Sequence, residues 1–373
     1  MKPIDLSKFK KIIDKNVDGI TFGFVEPRKW LSTGNYALNW LMTQRFDRAF
    51  PMSGRINMCA GESASGKSYI CSANVVKDAL SKNIPVIIFD TEDRLDKTWM
   101  ENLGVDPNNP LLQRIQTNSI EKIMQIVALI AKEYKDENKD VLPEEQSGLL
   151  FIVDSLGAAY PEDEVSRYND GELSMTDGMR RAGAMTKMVN SILANIASTE
   201  MSCLVTNHVY ATTDMYSDDV IPGGKKLIFL TTQILQMNKL KLKAKDLEEG
   251  IDGVSDSDVV GIRSKCKVYK SNWNRPFTSV EVQIPYEKGM NPYSGLFGLF
   301  NDGLKYDGKP VLQKEGNQYA YYNYKTGEQI FKKFRKNITN EDYDMIMKEY
   351  MEYQESISTL NKILKSTDKD EEE

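Results

Sequence analysis

The sequence predicts an α/β fold, with a mostly parallel central sheet covered by helices on both faces. Two observations carry this expectation. Short, continuous apolar runs alternate with longer stretches whose apolar residues recur at helical spacing, the pattern of strands buried on both faces. One such strand and helix flank Gly61-Glu62-Ser63-Ala64-Ser65-Gly66-Lys67-Ser68, a G-x-x-x-x-G-K-S phosphate loop.

Length and composition set the outer bounds. The 373 residues allow two or three domains, or one large core with appendages. Apolar residues make up 40 % and charged residues 27 %, an ordinary soluble balance. No apolar run is long enough to span a membrane, and the N-terminal stretch lacks the apolar centre of a secretory signal. Cys59, Cys71, Cys203 and Cys266 are scattered in apolar contexts and read as reduced core thiols, so a cytoplasmic location is expected. The net charge is −6, which argues weakly against nucleic-acid binding, but the last six residues, DKDEEE, contribute −4 of it. That block reads either as a solvated tail or as a competitor with phosphate for a basic surface.

Residues 1–29 read as an amphipathic arm, with Phe9, Ile12 and Ile13 at helical spacing. Ser32 or Thr33 is a candidate cap for a helix carrying Leu38, Leu41 and Met42. Strands are expected at RINMCAG, at 85–92, 149–155 and 202–208, at 230–240, and at SKCKVYKS and 278–286. Helices are expected after the phosphate loop through Leu80, at 120–134 and at 185–198. Beyond about 290 the chain becomes Gly- and Tyr-rich, then polar and helical over 340–365. The expected division is an arm over 1–29, an ATPase core over 30–288 and a C-terminal region with an acidic tail over 289–373.

The loop residues have a physical rationale. Successive backbone N–H groups and the helix start receive phosphate oxygens, with Tyr69 the next residue on that helix. Lys67 neutralises β/γ oxygens and the Ser68 hydroxyl ligates Mg²⁺. Asp154 ends the apolar run LLFIVD, where an acid for the Mg²⁺ shell belongs, although a strand-ending Asp also caps turns. Glu92 ends another strand and is a candidate to orient or deprotonate water; spacing alone leaves a surface acid equally open.

GESASGKS, IIFDTEDRLDKTW, LLFIVDSLGAAYP and CLVTNH…PGGKKL, in this order, resemble the ATPase core of RecA-type homologous recombinases, in particular the phage-encoded T4-type (UvsX) family. The resemblance spans roughly residues 30–285. It implies a RecA-like fold that binds ATP and Mg²⁺ and hydrolyses ATP in a DNA-dependent way. It further implies head-to-tail helical filaments on single-stranded DNA, pairing with homologous duplex DNA, and single-strand-binding and mediator proteins as partners. Residue by residue, it places water activation on Glu92, adenine stacking on Trp99 and an acid near the base on Asp96. Trp99 also fits a helix-packing aromatic. The family's Asn-Gln pair, which reports the γ-phosphate, falls on Asn207-His208, so the only histidine takes the sensor position.

Two segments match the family's DNA-binding loops, 162–178 and 209–224, both expected to be disordered without ligand. Asp214, Asp218 and Asp219 in the second repel phosphate, while Arg167, Arg180, Arg181, Lys187, Lys225 and Lys226 are basic candidates. Gly223 and Gly224 suit backbone contact with phosphate, and Tyr210 and Tyr216 suit bases or sugars. Lys270 falls on the first of two lysines by which a neighbouring subunit reaches the γ-phosphate; the second position holds Asn272. FKKFRKN, 331–337, is either a second, duplex-DNA site or a solvated basic face. The competing expectations are a hexameric helicase on the same core, disfavoured because only about 30 residues precede it, and a DNA-independent ATP-binding assembly switch.

Overall fold

The structure is a computed structural model that describes residues 6–17, 26–172, 176–210, 220–247 and 254–370, with side chains for all of these but Asp14 and 359–370. Helix α1 (Leu6–Asn16) leaves Leu6, Phe9 and Ile12 exposed along one stripe. A two-residue ribbon, β1 (Trp30–Leu31) against β2 (Phe50–Pro51), brackets helix α2 (Tyr36–Thr43). The cap of α2 is neither Ser32 nor Thr33. Asn35 accepts from Leu38 N, while the Thr33 hydroxyl donates to Asn35 O and Asn39 Oδ1, so the loop folds back before the helix starts.

The continuous apolar runs form one eight-stranded sheet: β3 (Arg55–Gly61), β4 (Val86–Asp90), β5 (Leu112–Gln116), β6 (Leu149–Asp154), β7 (Met201–His208), β8 (Gln233–Lys243), β9 (Val259–Lys270) and β10 (Ser279–Pro285). Its order is β10-β9-β8-β3-β7-β6-β4-β5. The six strands from β8 to β5 are parallel, and β9 and β10 add antiparallel at one edge. The inner parallel strands β3, β4, β6 and β7 are buried on both faces because helices cover both, whereas β5 is a half-exposed edge. After β3 the chain makes a wide π turn, Tyr69–Asn74, which runs into helix α3 (Val75–Ser81). Helices α4 (Lys97–Asn102), α5 (Ile120–Glu137), α6 (Glu162–Asn169), α7 (Asp177–Ile196) and α8 (Gly224–Leu230) follow.

Two apolar clusters sandwich the sheet. One packs Ile123 and Val127 of α5 with Met188, Val189 and Ile192 of α7 against Ile56, Phe151 and Val205. The other packs α2 and α3 against the opposite face. It continues without a break into the C-terminal region through Leu296, Phe300, Leu312, Tyr321, Ile346 and Tyr350. That region comprises a one-turn helix α9 (Leu296–Gly298), the ribbon β11 (Lys305–Tyr306) with β12 (Lys309–Pro310), and a three-stranded sheet of β13 (Leu312–Glu315), β14 (Gln318–Tyr322) and β15 (Gln329–Lys333). Helix α10 (Asn340–Asp370) follows.

All four cysteines are free and buried, and burial pushes the Cys203 and Cys266 thiols up to about 12. Among the described residues no helix is long and apolar enough to cross a membrane. Two sequence expectations are corrected. The 162–178 segment is not a disordered loop throughout, since 162–169 form α6 and α7 starts at Asp177. The run 230–240 opens with the last residue of α8, and its strand begins at Gln233.

Candidate functional site

The parallel strands all deliver their carboxyl ends to one edge of the sheet, where ligands of such folds gather. β3 ends at Gly61, where a Cβ would sit 2.3 Å from Met237 O, so only glycine fits. Gly66 has φ +98°, and a Cβ there would meet Ile284 Cδ1 at 2.6 Å. Between them the chain wraps round the Lys67 ammonium, which donates to Gly61 O (2.9 Å) and Glu62 O (2.6 Å). Burial lowers the Lys67 pKa, an effect that the nearby charges of Asp154 and Glu92 offset in part. Neighbouring strands hold the loop from outside. Lys239 Nζ donates to Ser63 O, and the Ser264 hydroxyl donates to Ser65 O. The Ser65 hydroxyl is buried without a hydrogen-bond partner. A buried ammonium resting on two carbonyls beside an orphaned hydroxyl is a donor set short of an acceptor, which fits a phosphate chain.

Tyr69 points away from this cradle. Its ring packs on the core, and its hydroxyl accepts from Met290 N (2.9 Å), tying the start of the helix to the segment that leads into the C-terminal region.

Three acids stand beside the loop. Asp154 is 7 % exposed; its Oδ2 accepts from Ser72 (2.8 Å) and its Oδ1 from Thr206 (2.5 Å). The π turn therefore directs Ser72 at Asp154, while Ser68 and Asp154 line one cavity of about 170 Å³ with Asp90, Glu92, Arg94, Leu95 and Trp99. Mg²⁺ keeps several waters and takes one or two protein ligands plus phosphate oxygens, so a hydroxyl and a carboxylate in one cavity suffice for it. Glu92 Oε1 accepts from the Ser155 hydroxyl (2.7 Å) and lies 3.3 Å from His208 Nε2, and Glu92 Oε2 lies 2.9 Å from Arg94 Nη1. Burial pushes the Glu92 pKa up, but the bonds from Ser155 and His208 and the charge of Arg94 outweigh it, so the pKa falls below its ordinary value.

The third acid, Asp90, is 2 % exposed and accepts from Leu95 N, Arg94 N and the Arg114 guanidinium, closing the turn that carries Glu92. Beyond that turn Asp96 caps α4 by accepting from Trp99 N (2.7 Å). The half-buried Trp99 both packs against the core and lines the cavity.

β6 and β7 lead into the two segments matched to DNA-binding loops. Arg167 and Arg181 are turned inward. Arg167 pairs with Asp163 (2.7 Å) and with the buried Asp177 (2.9 Å), bridging α6 and α7. Arg181 crosses back to the buried Glu164, which also accepts from Tyr168, and lies 3.9 Å over the Tyr160 ring. Arg180, Lys187, Lys225 and Lys226 are exposed, and Tyr210 is 64 % exposed. Tyr210 pairs with Val220 through backbone bonds in both directions, so the ends of the second segment meet. Its return end is fastened from two sides: Asn207 Nδ2 donates to Pro222 O (3.0 Å), and the Thr186 hydroxyl donates to Gly223 O (3.0 Å). Gly223 and Gly224 take φ of +102° and +77° at the start of α8. Asp214, Tyr216, Asp218 and Asp219 lie outside the described residues, as do 371–373 of the acidic end.

Lys270 is not at the phosphate loop of its own chain. It pairs with Ile234 in the sheet, and its ammonium donates to the carbonyls of Ile228, Phe229 and Thr231 at the end of α8. In the basic run 331–337, Lys332 pairs with Glu315, Lys333 pairs with Asp342, and Arg335 stacks 4.3 Å over Phe297.

The sequence profile of the RecA N-terminal domain matches residues 27–291, most of the chain, including the phosphate loop, the three acids and both loop segments but not the basic run 331–337. The chain belongs to the RecA family. Protein RecA of Mycoplasmopsis pulmonis (strain UAB CTIP) is 27 % identical over 292 residues, 78 % of this chain and 75 % of that one. Protein RecA of Lactobacillus johnsonii is 27 % identical over 278 residues, 74 % and 67 % of the two chains. Protein RecA of Wigglesworthia glossinidia brevipalpis is 27 % identical over 301 residues, 80 % and 79 %. The RecA family comprises recombinases of DNA recombination and repair, which bind ATP and DNA.

In this RecA-family chain Lys67, Ser68, Glu92, Asp154 and His208 come together at one end of the sheet. Sequence reasoning missed Ser72 and Thr206 on Asp154, Ser155 on Glu92, and Arg114 on Asp90. The signal available for the first three was a hydroxyl residue on, or directly after, an element already expected. Nothing in the sequence signalled Arg114.

Proposed function

We propose that this chain is an ATP-dependent recombinase of the T4-type phage kind. It assembles head to tail on single-stranded DNA and pairs that strand with a homologous duplex. The observation that supports this most is a run of three residues at the end of β7. Thr206 bonds Asp154, Asn207 bonds the return of the second loop, and His208 meets Glu92. A nucleotide-dependent shift of one strand end is thereby felt at the Mg²⁺ acid, the water-activating acid and the DNA loop together.

In this reading Lys67 moves from the loop carbonyls to the β/γ oxygens, and Ser68 with Asp154 holds Mg²⁺, which neutralises phosphate charge when bound. Glu92 accepts the proton of the attacking water, and its lowered pKa keeps it ionised for that task. His208 gives up Glu92 for the γ-phosphate and signals to the second loop. Trp99 and Asp96 flank the base. Lys270 serves the γ-phosphate of a neighbouring copy, so assembly and nucleotide state are linked, and α1 with its exposed apolar stripe packs on the next subunit. Arg180, Tyr210, Gly223, Gly224, Lys225 and Lys226 contact single-stranded DNA. Arg167 and Arg181 shape that surface from behind, through their carboxylate partners. The functional units are the arm over 1–29, the core over 30–288 and the C-terminal region over 289–373.

The test is electron microscopy with a strand-exchange assay, on protein with ATP, Mg²⁺ and single-stranded DNA. Helical filaments that convert a homologous duplex to joint molecules support the proposal. Closed rings that unwind duplex support a helicase, and neither structure with neither activity supports a DNA-independent switch.

A further inference from the structure

The turn that carries Glu92 is anchored on both sides, and the outer anchor lies outside every motif of the site. On the inner side Thr91 N donates to Asp154 O (2.9 Å), the Thr91 hydroxyl donates to Ser155 O (2.7 Å), and Ser155 N donates back to Thr91 Oγ1 (2.8 Å). These bonds join β4 to β6. On the outer side, among the described residues, stands the edge strand β5, and from it Arg114 reaches the buried Asp90.

The geometry is a fork. Arg114 Nε and Nη2 both donate to Asp90 Oδ2, at 2.9 and 2.7 Å, and Nη2 also donates to Asp93 Oδ1 at 2.5 Å. The Asp90 side chain is 1 % exposed, against 38 % for Arg114. The same carboxylate accepts Arg94 N (3.3 Å) and Leu95 N (2.9 Å). Asp93, at the bend, has φ +53°, a left-handed conformation held at both flanks. Arg94, whose N–H is thus fixed, pairs with Glu92 Oε2. Three links therefore connect Arg114 to the reactive carboxylate: Arg114 to Asp90, Asp90 to the turn backbone, and the turn to Glu92. Removing the guanidinium leaves a buried carboxylate holding two backbone N–H groups, in a turn with no strand beyond β5 among the described residues to confine it.

We propose that Arg114 is a positioning residue for Glu92, aiming its carboxylate through the Asp90-closed turn. This rests on the reading of Glu92 as the group that activates water. The polar partners of the Arg114 side chain among the described residues are Asp90 and Asp93, not the phosphate loop or Asp154, so its influence falls on turnover and not on nucleotide capture. Lysine does not reproduce it, because an ammonium lacks the planar fork that engages Asp90 twice.

The test is a double-mutant cycle on the full chain, reading single-stranded-DNA-stimulated ATP hydrolysis for wild type, R114Q, R114K, E92Q and E92Q/R114Q. R114Q is expected to lower kcat by about tenfold or more with KM for ATP within about threefold of wild type, the mark of a misaimed group. R114K falls between the two. In the E92Q background R114Q changes the residual rate by less than about twofold, since the group it aims is gone. R114Q at the wild-type kcat overturns the proposal, and so does an equally large effect of R114Q with and without Glu92. If R114Q does not fold, R114K decides: a kcat lowered by about threefold or more supports the proposal and a wild-type kcat overturns it. E92Q at the wild-type rate sinks the reading of Glu92 itself, whereas a dead E92Q beside a normal R114Q sinks the brace alone.

Discussion

His208 and Glu92 meet at 3.3 Å although their strands are not neighbours, for β6 runs between β7 and β4. The imidazole crosses above Gly157, where a Cβ would lie 3.0 Å from His208 Cδ2. The bridge therefore needs both a histidine and a bare backbone beneath it. His208→Ala is expected to keep ATP binding, since Lys67 and the loop are untouched, and to lose the stimulation of hydrolysis by single-stranded DNA. Gly157→Ala is expected to do the same more weakly, by displacing the ring. Stimulation of normal size in His208→Ala would contradict the coupling role.

Ser155 helps to keep Glu92 ionised. Burial raises the Glu92 pKa, and the Ser155 bond is the largest of the effects that bring it net below the ordinary value. A depressed folded-state pKa means that the ionised form stabilises the fold at neutral pH, and that this contribution is lost as pH falls through the lowered folded value. Ser155→Ala removes one of those bonds, so the acid limb of kcat/KM is expected to move to higher pH. A pH–rate profile of the variant that superimposes on wild type would show that Ser155 does not act on the base.

Arg181 and Glu164 divide a stability effect unequally. The Glu164 side chain is 1 % exposed and Arg181 27 %. Arg181→Ala strands a buried carboxylate and is expected to cost about 3 kcal/mol, the low end for breaking a buried pair. Glu164→Ala leaves a guanidinium that water can reach, and is expected to cost about 1–2 kcal/mol. Urea unfolding midpoints check the order; equal costs would mean the pair is solvated.

The proposed DNA surface separates by charge partner. Arg180, Lys225 and Lys226 are exposed, while Arg167 is spent on Asp163 and Asp177. Replacing any of the first three by alanine is expected to weaken binding to single-stranded DNA and to reduce the salt slope by about 0.7 for each phosphate that is no longer neutralised. Arg167→Ala is expected to destabilise the fold before it changes that slope. Oligonucleotide titrations at several salt concentrations distinguish the two.

Much of this was legible in the sequence, for a physical reason. β3, β4, β6 and β7 are buried on both faces, so each is a continuous apolar run that ends abruptly in the polar residues of the site. What stayed hidden depends on contacts between distant segments. β5 reads LQRIQ, a half-exposed edge strand without an apolar signature, so Arg114 had no frame. Helix α6 forms in a polar segment between Pro161 and Gly171 because Arg167 and Arg181 meet carboxylates across the gap to α7, a pairing with no local pattern. The strands β13 to β15 are short and rich in tyrosine and lysine, and pack because Leu312, Tyr321 and Phe331 find the core cluster.

The most direct measurement of the central claim is the ATP hydrolysis rate with and without single-stranded DNA, at low salt, for wild type and Glu92→Gln. Strong stimulation of the wild type that vanishes in Glu92→Gln is the expected result, and it ties the β4 acid to a DNA-driven ATPase. No stimulation at any DNA concentration, or undiminished turnover in Glu92→Gln, would contradict it.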